Sequence, residues 1–159
     1  MKTTVITGAS SGIGAELARQ LASKGFNVVL AARRDHELRE IADEIGASAY
    51  AVVTDVRSRI DIENLKNAAI DKFGAIDIWV NNAGRGICRN VLELSDEDFD
   101  EIINVNLKSA LYGMQSIIPY FIERGARALR AIPIYLQRFQ GGLEYPHREF
   151  ENGYEKYQS

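Results

Sequence analysis

Short apolar runs alternate along the chain with stretches whose apolar residues recur every three or four positions. Val5 and Ile6 form the first run, and Ile13, Leu17 and Leu21 follow at the spacing of a helix packed on a sheet. Val28 to Leu30 read as a second strand, Leu38, Ile41 and Ile45 as the inner face of a second helix, and Ala51 to Val53 as a third strand. Ile62, Leu65, Ala69 and Phe73 mark a third helix, and Ile76 to Val80, containing the only Trp, a fourth strand. Strands apolar on both faces and separated by helices need cover on both sides. The pattern therefore predicts a doubly wound α/β fold around a parallel sheet.

Beyond Gly84, Ser95 is placed to cap a helix with Asp98 at the third helical position, a variant of the capping box. This helix is expected to run through Phe99, Ile102 and Ile103 and on from Leu107 to about Glu123. The alternation is lost at Gly125. Residues 1–125 read as one domain and 126–159 as a divergent tail, with Ile132 to Leu136 a candidate strand and the stretch after Gly141 irregular or disordered.

Composition narrows the setting. A formal charge of -3 argues against nucleic-acid binding by general electrostatics. One cysteine, Cys88, with the distant His36 and His147 assembles neither a disulfide nor a metal site, so a reducing, cytoplasmic setting is expected. Neither a secretory leader nor a membrane span is expected, because no apolar run is long enough.

The segment Thr7-Gly8-Ala9-Ser10-Ser11-Gly12-Ile13-Gly14 lies between a strand and a helix, where a phosphate-binding turn belongs. Glycines let the backbone approach a pyrophosphate, and the helix that follows aims its unpaired N–H groups at the anion. The spacing TGxxxGxG differs from the common GxGxxG fingerprint. Gly8, Ser10, Ser11, Gly12, Ile13 and Gly14 are the candidate cofactor contacts in this turn.

Three further motifs follow in order: Asp55-Val56 after the third strand, Asn81-Asn82-Ala83-Gly84 after the fourth, and Asn104-Val105-Asn106-Leu107 in the next helix. With TGASSGIG, they make residues 1 to about 125 resemble the short-chain dehydrogenase/reductase family. The resemblance implies a Rossmann fold with strand order 3-2-1-4, a nicotinamide dinucleotide, and a small carbonyl or alcohol as substrate. It implies that Asp55 bonds the adenine amino group beside Val56, that Asn82, Ala83 and Gly84 line the cofactor, and that Asn106 matches the catalytic asparagine. Taken singly, Asp55 reads equally as a strand terminus, Asn81 and Asn82 as turn formers, and Asn106 as a polar group inside a helix. Cys88 and Arg89 either border the substrate pocket or are ordinary loop residues.

The end of the second strand bears on which dinucleotide is used. An NAD site usually places a carboxylate there for the ribose 2′-hydroxyl. Here Ala32 is followed by Arg33, whose forked guanidinium suits a 2′-phosphate. NADP is thus expected and NAD left open, since Ser11 stands where the turn could have carried a basic residue. Arg34 either assists or is solvated.

The resemblance also calls for a later serine and a Tyr-x-x-x-Lys pair, in which the lysine lowers the pKa of the proton-exchanging tyrosine. No tyrosine of this sequence has a lysine four residues on; Tyr120 with Arg124 comes nearest in charge and reads as helical packing. The expectation is a truncated, deleted or frameshifted dehydrogenase half, or else a short protein that binds a dinucleotide without turnover. Lacking a well-formed fifth strand, Ile76 to Val80 is expected to be an apolar sheet edge, with self-association as the result.

Overall fold

Valine-, isoleucine- and alanine-rich runs build a five-stranded sheet of order β3-β2-β1-β4-β5 in a computed structural model that describes residues 1–125 and 131–133. The strands are β1 (Thr3–Thr7), β2 (Asn27–Ala32), β3 (Ala49–Val53), β4 (Ile78–Asn81) and β5 (Ala131–Pro133). All pairings are parallel, with Val5 opposite Val29 on one side and Trp79 on the other. The crossovers are α1 (Gly12–Ser23), α2 (Asp35–Ile45) and α3 (Arg59–Phe73). After β4 come α4 (Asp96–Ile103), a π-helical turn (Asn104–Lys108) and α5 (Ser109–Glu123).

Neighbouring residues of each strand feed opposite cores, as the two-residue period requires. Val5, Val29 and Trp79 pack with Ile62, Leu65 and Ala69 of α3 and Ile117 and Phe121 of α5. Ile6, Val28, Leu30 and Val80 pack with Ala15 and Ala18 of α1 and Leu38 and Ile41 of α2. Both faces are covered, as the alternating pattern predicts.

Three expectations need correction. The stripe Ile13–Leu17–Leu21 holds only in part: Leu17 and Leu21 pack, partly buried, against the core, whereas Ile13 is 48% exposed and the buried positions of α1 are Gly14, Ala15 and Ala18. Small side chains bring this helix close to the sheet, and Ile13, in its first turn, borders a hollow beside the glycine turn. Secondly, β4 is not an edge strand. Trp79, Val80 and Asn81 pair with Ala131, Ile132 and Pro133, so that the strand expected from Ile132 is already present at Ala131; its expected continuation to Leu136 lies outside the described residues. The apolar-edge argument for self-association therefore fails. Thirdly, the helix from Ser95 to Glu123 is interrupted by the π turn, where the Ser109 amide donates to the Asn104 carbonyl five residues back. The tail reading for 126–130 and 134–159 lies outside the described residues.

Candidate functional site: a crevice at the carboxyl ends of the strands

The chain leaves β1 in opposite directions through β2 and β4, and this reversal opens a crevice beyond the carboxyl ends of the strands. The glycine turn sits in it. Gly8 and Gly12 have φ of +68° and +58°, a region that disfavours residues with a Cβ. A Cβ on Gly14 would lie 2.5 Å from both Asn82 Nδ2 and the Gly8 carbonyl, whereas one on Gly12 would meet nothing within 4 Å. Gly14 is thus required by packing, while Gly12 turns its bare face outward toward the crevice.

The turn is sewn to the end of β4. Asn82 Nδ2 donates to the carbonyls of Thr7 (2.9 Å) and Gly8 (3.2 Å). The Thr7 hydroxyl accepts from the amides of Asn82 and Ala83, both at 3.0 Å, and donates to the Val80 carbonyl at 3.3 Å. Asn82 is a turn-holding residue here, and Thr7 is the hub. The Ser11 side chain makes no capping bond at the start of α1, leaving that helix end open to an anion.

Two hollows flank the turn and share Gly8, Ser11 and Gly84 as walls. One, of about 820 Å³, borders Gly12, Ile13, Gly14 and Asn82. The other, of about 250 Å³, lies over the ends of β2 and β3 and is lined by Ser10, Ala32, Thr54, Asp55, Val56, Ala83 and the arginines 33, 34, 57 and 85. Arg34 donates to the hydroxyls of Ser10 (2.9 Å) and Ser11 (2.8 Å) and pairs with Glu37 at 3.0 Å. Arg57 grips Asp55, and Arg85 pairs with Glu101. Among the described residues Arg33 alone of the four has neither a hydrogen bond nor an ion pair.

Asp55 carries its charge firmly. The Arg57 guanidinium beside it holds its carboxyl below the usual carboxylate range, against the opposing effect of partial burial. Its backbone amide donates to Asp61 Oδ2 at 3.0 Å, while Ser58 Oγ donates to Asp61 Oδ1 at 2.9 Å. Asp61 thus fixes the Asp55 loop from the first turn of α3. The pair Ser58-x-x-Asp61 has the same spacing as Ser95-x-x-Asp98 and could have been found by it, as could Arg57 by its place two residues after Asp55.

Asn106 lies in the π turn, a feature frequent at functional sites. Both ends of its side chain are spent on Arg85, the residue after Asn-Asn-Ala-Gly. Its Oδ1 would stand 3.3 Å from a Cβ on Gly84. The structure thus brings the glycine turn, Arg33, Asp55, Val56 and Asn82 to Gly84 around one crevice, while Asn106 lines neither hollow and reaches the crevice only through its bonds to Arg85. Cys88 and Arg89 are exposed on the loop beyond, with Arg89 paired to Asp98 at 2.7 Å. Among the described residues no cluster of His, Cys, Asp or Glu is fit to hold a metal, and no helix is long and apolar enough to cross a membrane.

Comparison with known proteins agrees with this geometry. A 3-ketoacyl-(acyl-carrier-protein) reductase from Brucella melitensis, solved with NADH, superposes with a TM-score of 0.76 at 38% identity, over 79% of this chain and 52% of its own. An alcohol dehydrogenase from Thermococcus sibiricus, solved with 5-hydroxy-NADP, gives 0.73 at 36% identity, over 79% and 55%. Among curated proteins, an uncharacterized oxidoreductase of Staphylococcus epidermidis is 38% identical over 79% of this chain and 54% of its own length. A 3beta-hydroxysteroid dehydrogenase of Eggerthella lenta is 36% identical over 92% and 56%. The chain thus spans about half the length of the curated relatives it matches. The family model described as short chain dehydrogenase matches residues 2–129. With its parallel sheet, glycine turn and Asn-Asn-Ala-Gly corner, the chain belongs to the short-chain dehydrogenase family of oxidoreductases.

Proposed function

We propose that this chain binds NADP in preference to NAD across the glycine turn, as the cofactor half of an oxidoreductase acting on a small carbonyl or secondary alcohol. Arg33 carries the cofactor preference. It is the one cleft arginine with neither a hydrogen bond nor an ion pair among the described residues, and it follows Ala32, where an NAD site would place a carboxylate. Arg34, held against Ser10 and Ser11, adds a second cation on the same wall. The two hollows either side of the turn suit the two halves of a dinucleotide, with the pyrophosphate over Gly12 and the open end of α1, and the adenine amino group at Asp55 beside Val56. Bound there, the nicotinamide would supply or accept hydride. Ala83 and Gly84 would form the wall beneath it, with Asn82 and Asn106 holding that wall in place.

The structural neighbours include complexes with NADH and with NADPH, so the preference rests on this chain's own residues. A charge-assisted bond from Arg33 to a 2′-phosphate contributes about 1.5 to 3 kcal/mol, roughly ten- to a hundredfold in affinity. Calorimetric titration of NADPH and NADH against the wild-type chain and Arg33→Ala tests it. Loss of the NADPH preference is expected; an unchanged ratio removes Arg33 from the site.

In the same reading, the sequence given binds cofactor but turns over poorly, because it holds no Tyr-x-x-x-Lys pair. Charge developing on the carbonyl oxygen needs a positioned proton donor, which contributes about a hundred- to ten-thousandfold. NADPH oxidation measured with a panel of ketones, aldehydes and quinones is expected to stay near background; robust carbonyl-dependent oxidation overturns this part. The setting proposed is cytoplasmic, with neither nucleic acid nor membrane as partner. Exposed Phe99, Leu107, Leu111 and Ile122 on the α4–α5 side favour a homo-oligomer.

A further inference from the structure

Asp55, the acceptor proposed for the adenine amino group, is already engaged on both oxygens. A carboxylate offers about four lone-pair sites, and three N–H groups of Arg57 occupy most of them, with Nε–H shared between the two oxygens. Its backbone amide and Nε reach Oδ1 at 3.0 Å each, and Nε and Nη2 reach Oδ2 at 3.1 and 2.6 Å. A second carboxylate waits on the other side. Arg57 Nη1 lies 4.0 Å from Glu101 Oε1, and both Arg57 and Asp55 line the cleft itself. Arg57 is 42% exposed at its side chain, free enough to exchange one partner for the other.

We infer that Arg57 is a specificity-determining residue that competes with the purine for Asp55, and that it moves to Glu101 when an adenine dinucleotide enters. This inference rests on the proposed NADP site. It makes base recognition a displacement: the adenine amino group gains a bond to Asp55 only as the guanidinium gives one up. Glu101, shared with Arg85, is the counter-charge that keeps the displaced guanidinium from being left unpaired.

The test compares NADPH with its hypoxanthine analogue, which presents an oxygen where adenine presents the amino group. Losing a cation from the cleft weakens both ligands alike through their phosphates, so the ratio of the two dissociation constants isolates the Asp55 contact. Arg57→Ala and Arg57→Gln are expected to raise the preference for adenine by about two- to fivefold, the yield of freeing a partly exposed ion pair. Glu101→Gln, which removes the alternative partner, is expected to lower it. A preference unchanged in both Arg57 variants overturns the inference, and NADPH binding by the wild-type chain then leaves the cofactor reading standing. No NADPH binding by the wild type or any variant overturns both. Binding by the Arg57 variants alone supports the competition in its strongest form.

Discussion

The carboxamide of Asn106 closes both of its hydrogen bonds on Arg85: Oδ1 accepts from the Arg85 amide at 2.7 Å, and Nδ2 donates to the Arg85 carbonyl at 2.9 Å. A π turn in one long helix thereby sets the path of the loop that leaves Asn-Asn-Ala-Gly. Asn106→Ala is expected to cost about 1 kcal/mol, because the bonds are solvent-exposed, and to speed amide exchange at Arg85 while that of β1 stays slow. Asn106→Asp, which keeps the acceptor and loses the donor, should fall between. Unchanged exchange at Arg85 in Asn106→Ala would show that the loop is held elsewhere.

The three glycines of the turn should fail in different ways. Gly14→Ala forces a methyl to 2.5 Å from Asn82 Nδ2 and the Gly8 carbonyl, and overpacking of this kind costs about 1 to 3 kcal/mol. Gly8→Ala combines a contact 2.8 Å from Ala83 Cα with an unfavourable φ, and should be at least as damaging. Gly12→Ala meets no atom, so only backbone strain of about 1 to 2 kcal/mol remains. Its folded protein should nonetheless lose cofactor affinity, since in the proposed site the methyl would stand where the pyrophosphate approaches. Urea midpoints and NADPH titration together separate these outcomes.

Acid should weaken the Asp55–Arg57 pair late. The folded carboxyl titrates below its unfolded value, so the pair's contribution to stability is complete above the unfolded pKa of about 3.9 and is lost as the pH falls through the folded value. Urea unfolding of wild type and Asp55→Asn, followed from about pH 6 to about pH 2, should show a gap that closes only in the most acid part of that range. Closure already near neutral pH would contradict the pairing.

Tyr120 is a structural tyrosine. Its hydroxyl accepts from the Ile76 amide at 3.1 Å and from Arg124 Nη1 at 2.9 Å. Tyr120→Phe leaves the partly buried Ile76 amide unpaired, at a cost of about 1 to 3 kcal/mol. NADPH affinity should not change, because the residue is remote from the crevice lining; a large loss of binding would place it in the site after all.

Much of the fold is legible in the sequence because strands and helices of this type bury contiguous stretches, and burial leaves a period. Ile62, Leu65 and Ala69 face the core as their spacing requires, and Ser95 with Asp98 forms a full capping box. Ile13 misled for a local reason: a residue in the first turn of α1 can keep the helical period yet border the crevice rather than the core. The π turn left no trace, since Val105, Ser109, Ala110 and Ile117 are all buried and any helical winding would accommodate most of them. The site motifs locate the crevice, but what each side chain bonds to is a long-range matter. Neither the approach of Arg57 to Glu101 nor the hold of Asn82 on Thr7 and Gly8 follows from spacing alone.

The π turn also sets a phase. An α-helix advances about 100° per residue, so the extra residue in 104–108 rotates everything beyond it by roughly that angle relative to a continuous helix. With it, Asn106 faces Arg85 while Ile117 and Phe121 reach the core beside Trp79. Deleting one residue there would restore α-helical hydrogen bonding through 104–108 and put those two demands on conflicting bearings, so that either the loop or the core would lose its partner. Local irregularity in this helix is the means by which one rigid rod serves two directions at once.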